Sequence, residues 1–178
     1  MPECYADTLM LETFVPTSIG YNHQRSCFKV ESQMVTRNNK PGKLFDQFAV
    51  GIVDNDEQEI VYLNECSLVI DRVEGSLYLR KNPSKHHYII LISPDLEKWV
   101  INLCEEEGIS LKDFNLPESN KELKRITQRM TSEDNPDLKK LFKTLSNTNN
   151  LKVKKLIHWV DTLKKKNYHV NQDELVCN

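Results

Sequence analysis

Short segments of apolar and polar residues, separated by turn-forming residues, fill the chain between residues 27 and 92. From Cys27 the apolar positions alternate through Phe28, Val30 and Met34, and the turn sequence RNNKPG follows. Five further apolar segments come next: KLFDQFAVGIV, EIVYL, CSLVI, SLYLR and HHYIILI. Upstream, LMLETFV at residues 9–15 has the composition of one more strand. The pattern predicts six or seven short strands, and their short connections favour antiparallel pairing.

The pattern changes to a helical period at Ser93. Ser93 can cap a helix, Pro94 suits a first turn, and the acids that follow favour the positive end of the helix dipole. Gly108 is a plausible end. The apolar residues between them fall on one face, and we expect these to be core residues: Leu96, Trp99, Val100 and Leu103.

Three more amphipathic helices are expected after residue 108, over residues 118–131, 136–145 and 151–166. We therefore divide the chain into a β-domain with its capping helix (1–108) and a basic helical segment (109–178) that packs on it. The expected fold class is α+β. It consists of an antiparallel sandwich or bent barrel of six or seven strands, an amphipathic capping helix and a helical C-terminal segment.

This layout resembles a pleckstrin-homology-like domain over residues 9–107. The segment HHYIILISPDLEKWVINLCEEEG is similar to that family's last strand and capping helix, and the resemblance implies that Trp99 fills the end of a bent barrel. Lipid-binding members carry basic residues in the first hairpin loop, where this chain has Arg37, Lys40 and Lys43. The strand LFDQFAVGIV has no basic residue, and the acidic body opposes anionic lipid, so phosphoinositide binding is not favoured.

A β-region followed by LCEEEGI is also similar to the end of a lipocalin, which would imply a small-ligand binder. No Gly-x-Trp sequence stands near the first strand, however, and eight barrel strands fit poorly between residues 27 and 92. This resemblance is kept as a minor alternative.

Charge is distributed unevenly along the 178 residues. Residues 121–170 hold 13 Lys and Arg against 5 Asp and Glu, whereas the rest of the chain holds 11 and 21. On the helix 151–166 a basic face away from the apolar stripe is predicted to bind a partner through Lys154, Lys155, Lys165 and Lys166. Such a face suits an acidic protein surface or nucleic-acid phosphates.

Catalytic and metal-binding motifs are not recognisable in the sequence. The five histidines lack metal-ligand spacing, and no glycine-rich phosphate loop is present. The acidic turn DNDEQE, which begins at Asp54, mildly resembles a calcium loop but lacks its glycine and its terminal glutamate at the required spacing. We therefore expect no enzymatic activity, no cofactor and no metal.

Five scattered cysteines without a CxxC pair favour reduced thiols and an intracellular location, in the cytoplasm or nucleus. The N-terminus lacks the basic and apolar regions of a secretory signal, and no apolar run is long enough for a transmembrane helix. Together these features predict an interaction module or adaptor that binds a partner protein. The alternative is a nucleic-acid-associated factor that contacts phosphates through its basic helices.

Overall fold

The computed structural model of the chain describes residues 1–37, 40–55, 61–73 and 75–176, without the side chain of Arg37. The strands are β1 (Thr36–Arg37), β2 (Lys40–Pro41), β3 (Ala49–Asp54), β4 (Leu68–Val73), β5 (Leu77–Lys81) and β6 (His87–Ile92). The helices are α1 (Tyr5–Phe14), α2 (Cys27–Met34), α3 (Tyr62–Glu65), α4 (Leu96–Glu107), α5 (Asn120–Thr127), α6 (Pro136–Ser146), α7 (Leu151–Lys166) and α8 (Gln172–Val176).

Four strands form one mixed sheet in the order β3-β6-β5-β4. Strands β3 and β6 are parallel, with Ala49 opposite His87 and Asp54 opposite Ile92. The other two pairings are antiparallel, and β1 and β2 form a separate two-residue hairpin. The two parallel strands therefore end side by side at one edge of the sheet.

Both faces of β6 are covered, which explains its continuous apolar run. Ile90 and Ile92 belong to the larger core, whereas Ile89 and Leu91 face a smaller core that includes residues of α2 and α3. All six residues of β6 are buried. A strand that is buried on both faces does not alternate between apolar and polar residues, and its sequence is an unbroken apolar segment.

The α+β class is confirmed, but only four of the six described strands form the main sheet, and the described residues do not form a sandwich or barrel. Residues 9–15 lie mostly in α1, and residues 27–34 form α2. The apolar positions of residues 27–34 also fit a helical period, since Cys27, Val30 and Met34 are buried on the same side of α2. Ser26 favours the helical period over the strand period, because its side chain caps the helix by accepting from the N–H of Lys29.

The prediction of all-antiparallel pairing is wrong as well. The β4–β5 hairpin is itself the connection between β3 and β6, so the parallel pair needs no long crossover helix. The predicted strand EIVYL lies partly outside the described residues, and its Tyr62 begins the short helix α3. The last three predicted strands correspond to β4, β5 and β6.

The predicted capping helix is present as α4, and its four predicted core residues are all buried. Asp95, rather than Ser93, caps it by accepting from the N–H of Lys98 at 2.8 Å. Gly108 ends it in the left-handed conformation, with φ 66°. The Trp99 indole Nε1–H donates to Ser76 Oγ at 2.8 Å, which fixes the ring above the sheet.

The C-terminal helices share one continuous core with the N-terminal half. Phe142 of α6 meets Phe14 of α1 edge to face, with ring centroids 6.3 Å apart. The indole of Trp159 in α7 is buried and donates to the Leu175 carbonyl at 3.0 Å. Among the described residues, no helix combines the length and apolar character needed to span a membrane.

Candidate functional site

Five acidic side chains gather where the parallel strands β3 and β6 end. We call this set the acidic cluster. Asp54 is the last residue of β3, and two acids lie at or just before the start of each of the helices α1 and α4. Its members are Glu3, Asp7, Asp54, Asp95 and Glu97. Ligands of open sheets that contain parallel strands commonly bind beyond the carboxyl ends of those strands.

Hydrogen bonds connect the three elements that carry the cluster. The backbone N–H of Asp54 donates to Glu3 Oε2 at 3.1 Å. In turn, Asp54 Oδ1 accepts from the backbone N–H of Leu96 at 3.0 Å. These two bonds fix the end of β3 between the starts of α1 and α4.

Helix capping accounts for part of the cluster. Asp7 Oδ2 accepts from the N–H of Cys4 at 3.0 Å, and Asp95 caps α4. Asp95 Oδ2 also lies 3.3 Å from Lys124 Nζ. Asp54 also contributes to capping, since it accepts from the N–H of the first residue of α4. Capping does not explain the remaining oxygens of Asp7 and Glu97.

The carboxyls of the cluster repel one another in a partly dry environment. Burial, followed by the charges of Asp7, Glu3, Glu97 and Asp95, raises the pKa of Asp54 to about 10. Burial also raises the pKa of Asp7, to about 7, with a further contribution from Glu3. The cluster therefore retains protons at neutral pH unless a cation compensates its charge.

Two oxygens of the cluster lack a partner within the described part of the chain. They are Asp7 Oδ1 and Glu97 Oε2, on side chains that are only 2% and 4% exposed. A buried carboxylate oxygen without a donor is costly, so these two atoms have a hydrogen-bonding capacity that the described residues leave unsatisfied. Within the described ranges, no group of three or more Asp, Glu, His or Cys side chains is arranged so that it could hold a metal ion.

A cavity of about 380 Å³ with both polar and apolar lining residues adjoins the cluster. Glu3 lines it together with His23, Arg25 and Ser26, and Thr127 closes another side. Thr127 also connects the cavity to the cluster because its hydroxyl donates to Glu97 Oε1. A ligand in this cavity would therefore lie beside the carboxyls.

The predicted basic face of α7 is not the continuous exposed surface that we expected. Lys155 is 7% exposed, and its Nζ lies 2.7 Å from Asp71 Oδ2 of β4, so placing it on an exposed face was wrong. The long lysine side chain leaves the apolar side of the helix and reaches a carboxylate of the sheet. Lys165 pairs with Asp161 at 2.7 Å and Lys166 with Glu174 at 2.5 Å, whereas Lys154 is exposed without an ion pair among the described residues.

The basic residues of the first loop lie beside the small β1–β2 hairpin. Lys40 belongs to β2 and Lys43 follows it, and both are exposed. The side chain of Arg37 lies outside the described residues. Binding of an anion by this loop stays a prediction.

Sequence reasoning missed the acidic cluster, although a signal was present. Asp54 follows directly on the apolar run 49–53, and SPDLE follows directly on the apolar run 87–92. Acids at the ends of two strongly apolar strands indicate a shared site only if the strands are parallel. Because antiparallel pairing was expected, Asp54 was assigned to an acidic turn and Asp95 to the start of a helix.

Comparisons with protein-family models, with curated proteins and with solved structures found no match. The resemblance to pleckstrin-homology-like domains accordingly stays a prediction.

Proposed function

We propose that the chain is a divalent-cation-binding protein whose acidic cluster holds Mg²⁺ at the carboxyl ends of β3 and β6. The observation that carries this proposal is a pair of buried carboxylate oxygens, Asp7 Oδ1 and Glu97 Oε2, to which no described residue donates, together with the raised pKa of Asp54. Oxygen atoms of carboxylates are the ligands that hard cations prefer.

The small number of preformed ligands favours Mg²⁺ over a fully caged metal. Mg²⁺ usually keeps several waters and takes only one or two protein carboxylates, whereas Ca²⁺ takes six to eight oxygen ligands. A cluster in which hydrogen bonds already occupy some oxygens of Glu3, Asp54 and Asp95 suits this partial coordination. A bound cation would also compensate the mutual repulsion of the carboxyls.

This proposal departs from the expectation of a chain without metal or cofactor. The expectation that it is not an enzyme stays a prediction. A cation at this position would bring Lewis-acid chemistry to any oxygen-rich ligand in the adjoining cavity.

The proposal is tested by thermal unfolding in chelator and in millimolar Mg²⁺. A ligand that binds only the folded state stabilises it by about 2.7 kcal/mol at about 100 times its Kd. We expect Mg²⁺ to raise the Tm of the wild type and to have little effect on Asp54→Asn. Asp71→Asn is the matched control because its carboxylate pairs with Lys155 at the other edge of the sheet. An equal effect of Mg²⁺ on wild type and Asp54→Asn would contradict a site at this cluster.

A second candidate function is contact with an acidic partner through α6 and α7, in keeping with the expected interaction module. It is supported by exposed lysines that make no ion pair with any described residue: Lys139, Lys140, Lys143 and Lys154. Since the lysines of the original prediction are largely paired within the chain, the surface centres on α6. Charge reversal at Lys139, Lys140 and Lys143 should abolish salt-sensitive binding to RNA, DNA or an acidic protein. Unchanged binding would contradict this second candidate.

A further inference from the structure

We infer that a second cavity, between the start of β3 and the C-terminal half of α7, binds a small aromatic carboxylate. The ligand ring packs against Tyr21 and Phe48, and its carboxylate pairs with Lys164. Ala49 and Val50, the first two residues of β3, line this cavity, whereas the acidic cluster lies at the other end of the strand. The inference therefore does not depend on the proposed cation.

Apolar and aromatic side chains form most of the wall of this second cavity. Val160 is buried and lies on its inner side, whereas Tyr21 and Phe48 are only half-buried, so a ligand can reach them. Apart from Asn22 and Lys164, the lining residues are apolar, aromatic or glycine. Because a polar group loses its hydration in such surroundings, the part of a ligand that fills the cavity must be apolar.

Hydrogen bonds hold the two aromatic residues of the wall in place. The hydroxyl of Tyr21 donates to the Val15 carbonyl at 2.7 Å. The backbone N–H of Phe48 donates to the hydroxyl of Tyr168 at 2.7 Å, and the two rings meet edge to face with centroids 5.7 Å apart. A wall that is ordered before the ligand arrives loses little conformational entropy on binding. Aromatic side chains of this kind favour a ligand that is itself an aromatic ring.

The size of the second cavity favours a single ring. An engineered apolar cavity of about 150 Å³ in another protein holds one benzene molecule, whereas sites for drug-sized ligands have volumes of about 300 Å³ or more. With about 200 Å³, this cavity has room for one ring and a small substituent. A fused ring system or a long acyl chain is too large to be enclosed.

Lys164 gives the second cavity its preference for an anionic substituent. It follows Val160 by one helical turn, so both side chains lie on the same side of α7. Its Nζ lies 4.2 Å from the centroid of the Tyr21 ring, and it forms no ion pair with a described residue. Burial lowers the pKa of Lys164, and the neighbouring charge of Asp161 opposes this effect only in part. A ligand carboxylate stabilises the ammonium form.

The experiment is a calorimetric titration of the full chain with benzoate and with its neutral analogue benzamide, in chelator so that no divalent cation takes part. We expect saturable binding, with benzoate bound about fivefold more tightly than benzamide, as for a partly desolvated ion pair. Lys164→Gln should weaken benzoate by about the same factor and leave benzamide unchanged. Lys154→Gln is the matched control, since Lys154 is an exposed lysine of the same helix that does not line the cavity.

Two further measurements test the ring and the place of binding. Val50→Phe, which adds volume on the cavity side of β3, should weaken benzoate and benzamide alike. Lys164 is exposed, so Lys164→Gln keeps the fold and tests the site even if Val50→Phe does not fold. Equal affinities for benzoate and benzamide, unchanged benzoate binding by Lys164→Gln, or no saturable binding would overturn the inference. Acetate that binds as tightly as benzoate would show that the ring is not recognised, and tighter binding of phenyl phosphate would overturn the carboxylate assignment.

Discussion

The carboxylate of Asp54 accepts a hydrogen bond from the backbone N–H of Leu96, with 3.0 Å between Oδ1 and the nitrogen. This bond joins the end of β3 to the first turn of α4, the helix whose cap follows directly on β6. Asp54 thereby stays among acidic neighbours that oppose its ionisation. A residue that destabilises its own surroundings in this way is typical of a functional site.

Replacing Asp54 by Asn should stabilise the cation-free protein at pH 7, by about 1 kcal/mol or more, since each unit of pKa shift corresponds to about 1.4 kcal/mol. The amide oxygen can still accept from Leu96 N–H, but the side chain no longer ionises. Urea unfolding in chelator measures the change. The control Asp71→Asn should instead destabilise, because it removes the partner of the buried Lys155. Destabilisation by Asp54→Asn to the same degree would show that Asp54 has only a structural role.

The stability gap between wild type and Asp54→Asn should widen as the pH rises. The unfolded chain ionises Asp54 near pH 3.8, whereas the folded chain holds the proton until about pH 10. Between these values the folded wild type binds more protons than the unfolded chain, so its stability falls with increasing pH. The slope is at most about 1.4 kcal/mol per pH unit for one group. Urea unfolding in chelator from pH 5 to 9 measures the gap. A gap that stays constant would mean that the folded state does not raise the pKa of Asp54.

Lys155 and Lys154 are neighbours on α7 with opposite roles. Lys155→Met should cost about 2–3 kcal/mol of unfolding free energy, because it leaves the Asp71 carboxylate largely buried without its cation. Lys154→Met changes an exposed residue and should stay within about 0.5 kcal/mol. Chemical unfolding of both variants checks this pair. Equal, small effects would show that the ion pair contributes little to stability.

Trp99→Ala should destabilise the protein by about 3–5 kcal/mol, as expected for truncation of a fully buried aromatic residue. Ser76→Ala removes only the hydrogen bond to the indole and should cost about 1 kcal/mol. A loss below about 1 kcal/mol for Trp99→Ala, measured by urea unfolding, would contradict its position in the core.

Elements with a clear signal of one period were predicted well from the sequence. The helical face of Leu96, Trp99 and Val100 fits only a helix, and β5 and β6 are bounded by turn residues. The segment at Cys27 fits both periods, so the cap at Ser26 and the contacts of α2 with the sheet decided its structure. Local pattern alone does not contain that information.

The acidic cluster was harder to predict because it depends on contacts between distant parts of the chain. Glu3 and Asp54 are joined by a hydrogen bond across 51 positions, and Asp54 and Leu96 across 42. Without the parallel pairing of β3 and β6, each acid has an ordinary local explanation as a turn or a helix cap. The exposure of Lys155 was predicted wrongly for the same reason, since its partner Asp71 is 84 residues away in the sequence.

Proton release on Mg²⁺ binding tests the central claim most directly. Metal ligands must be deprotonated, and Asp54 holds its proton at neutral pH. Calorimetric titration with Mg²⁺ at pH 7, in buffers of different ionisation enthalpy, gives the number of protons released. The account predicts saturable binding by the wild type with release of about one proton per cation, and neither in Asp54→Asn. Failure of Mg²⁺ to bind, or binding without proton release that persists in Asp54→Asn, would contradict it.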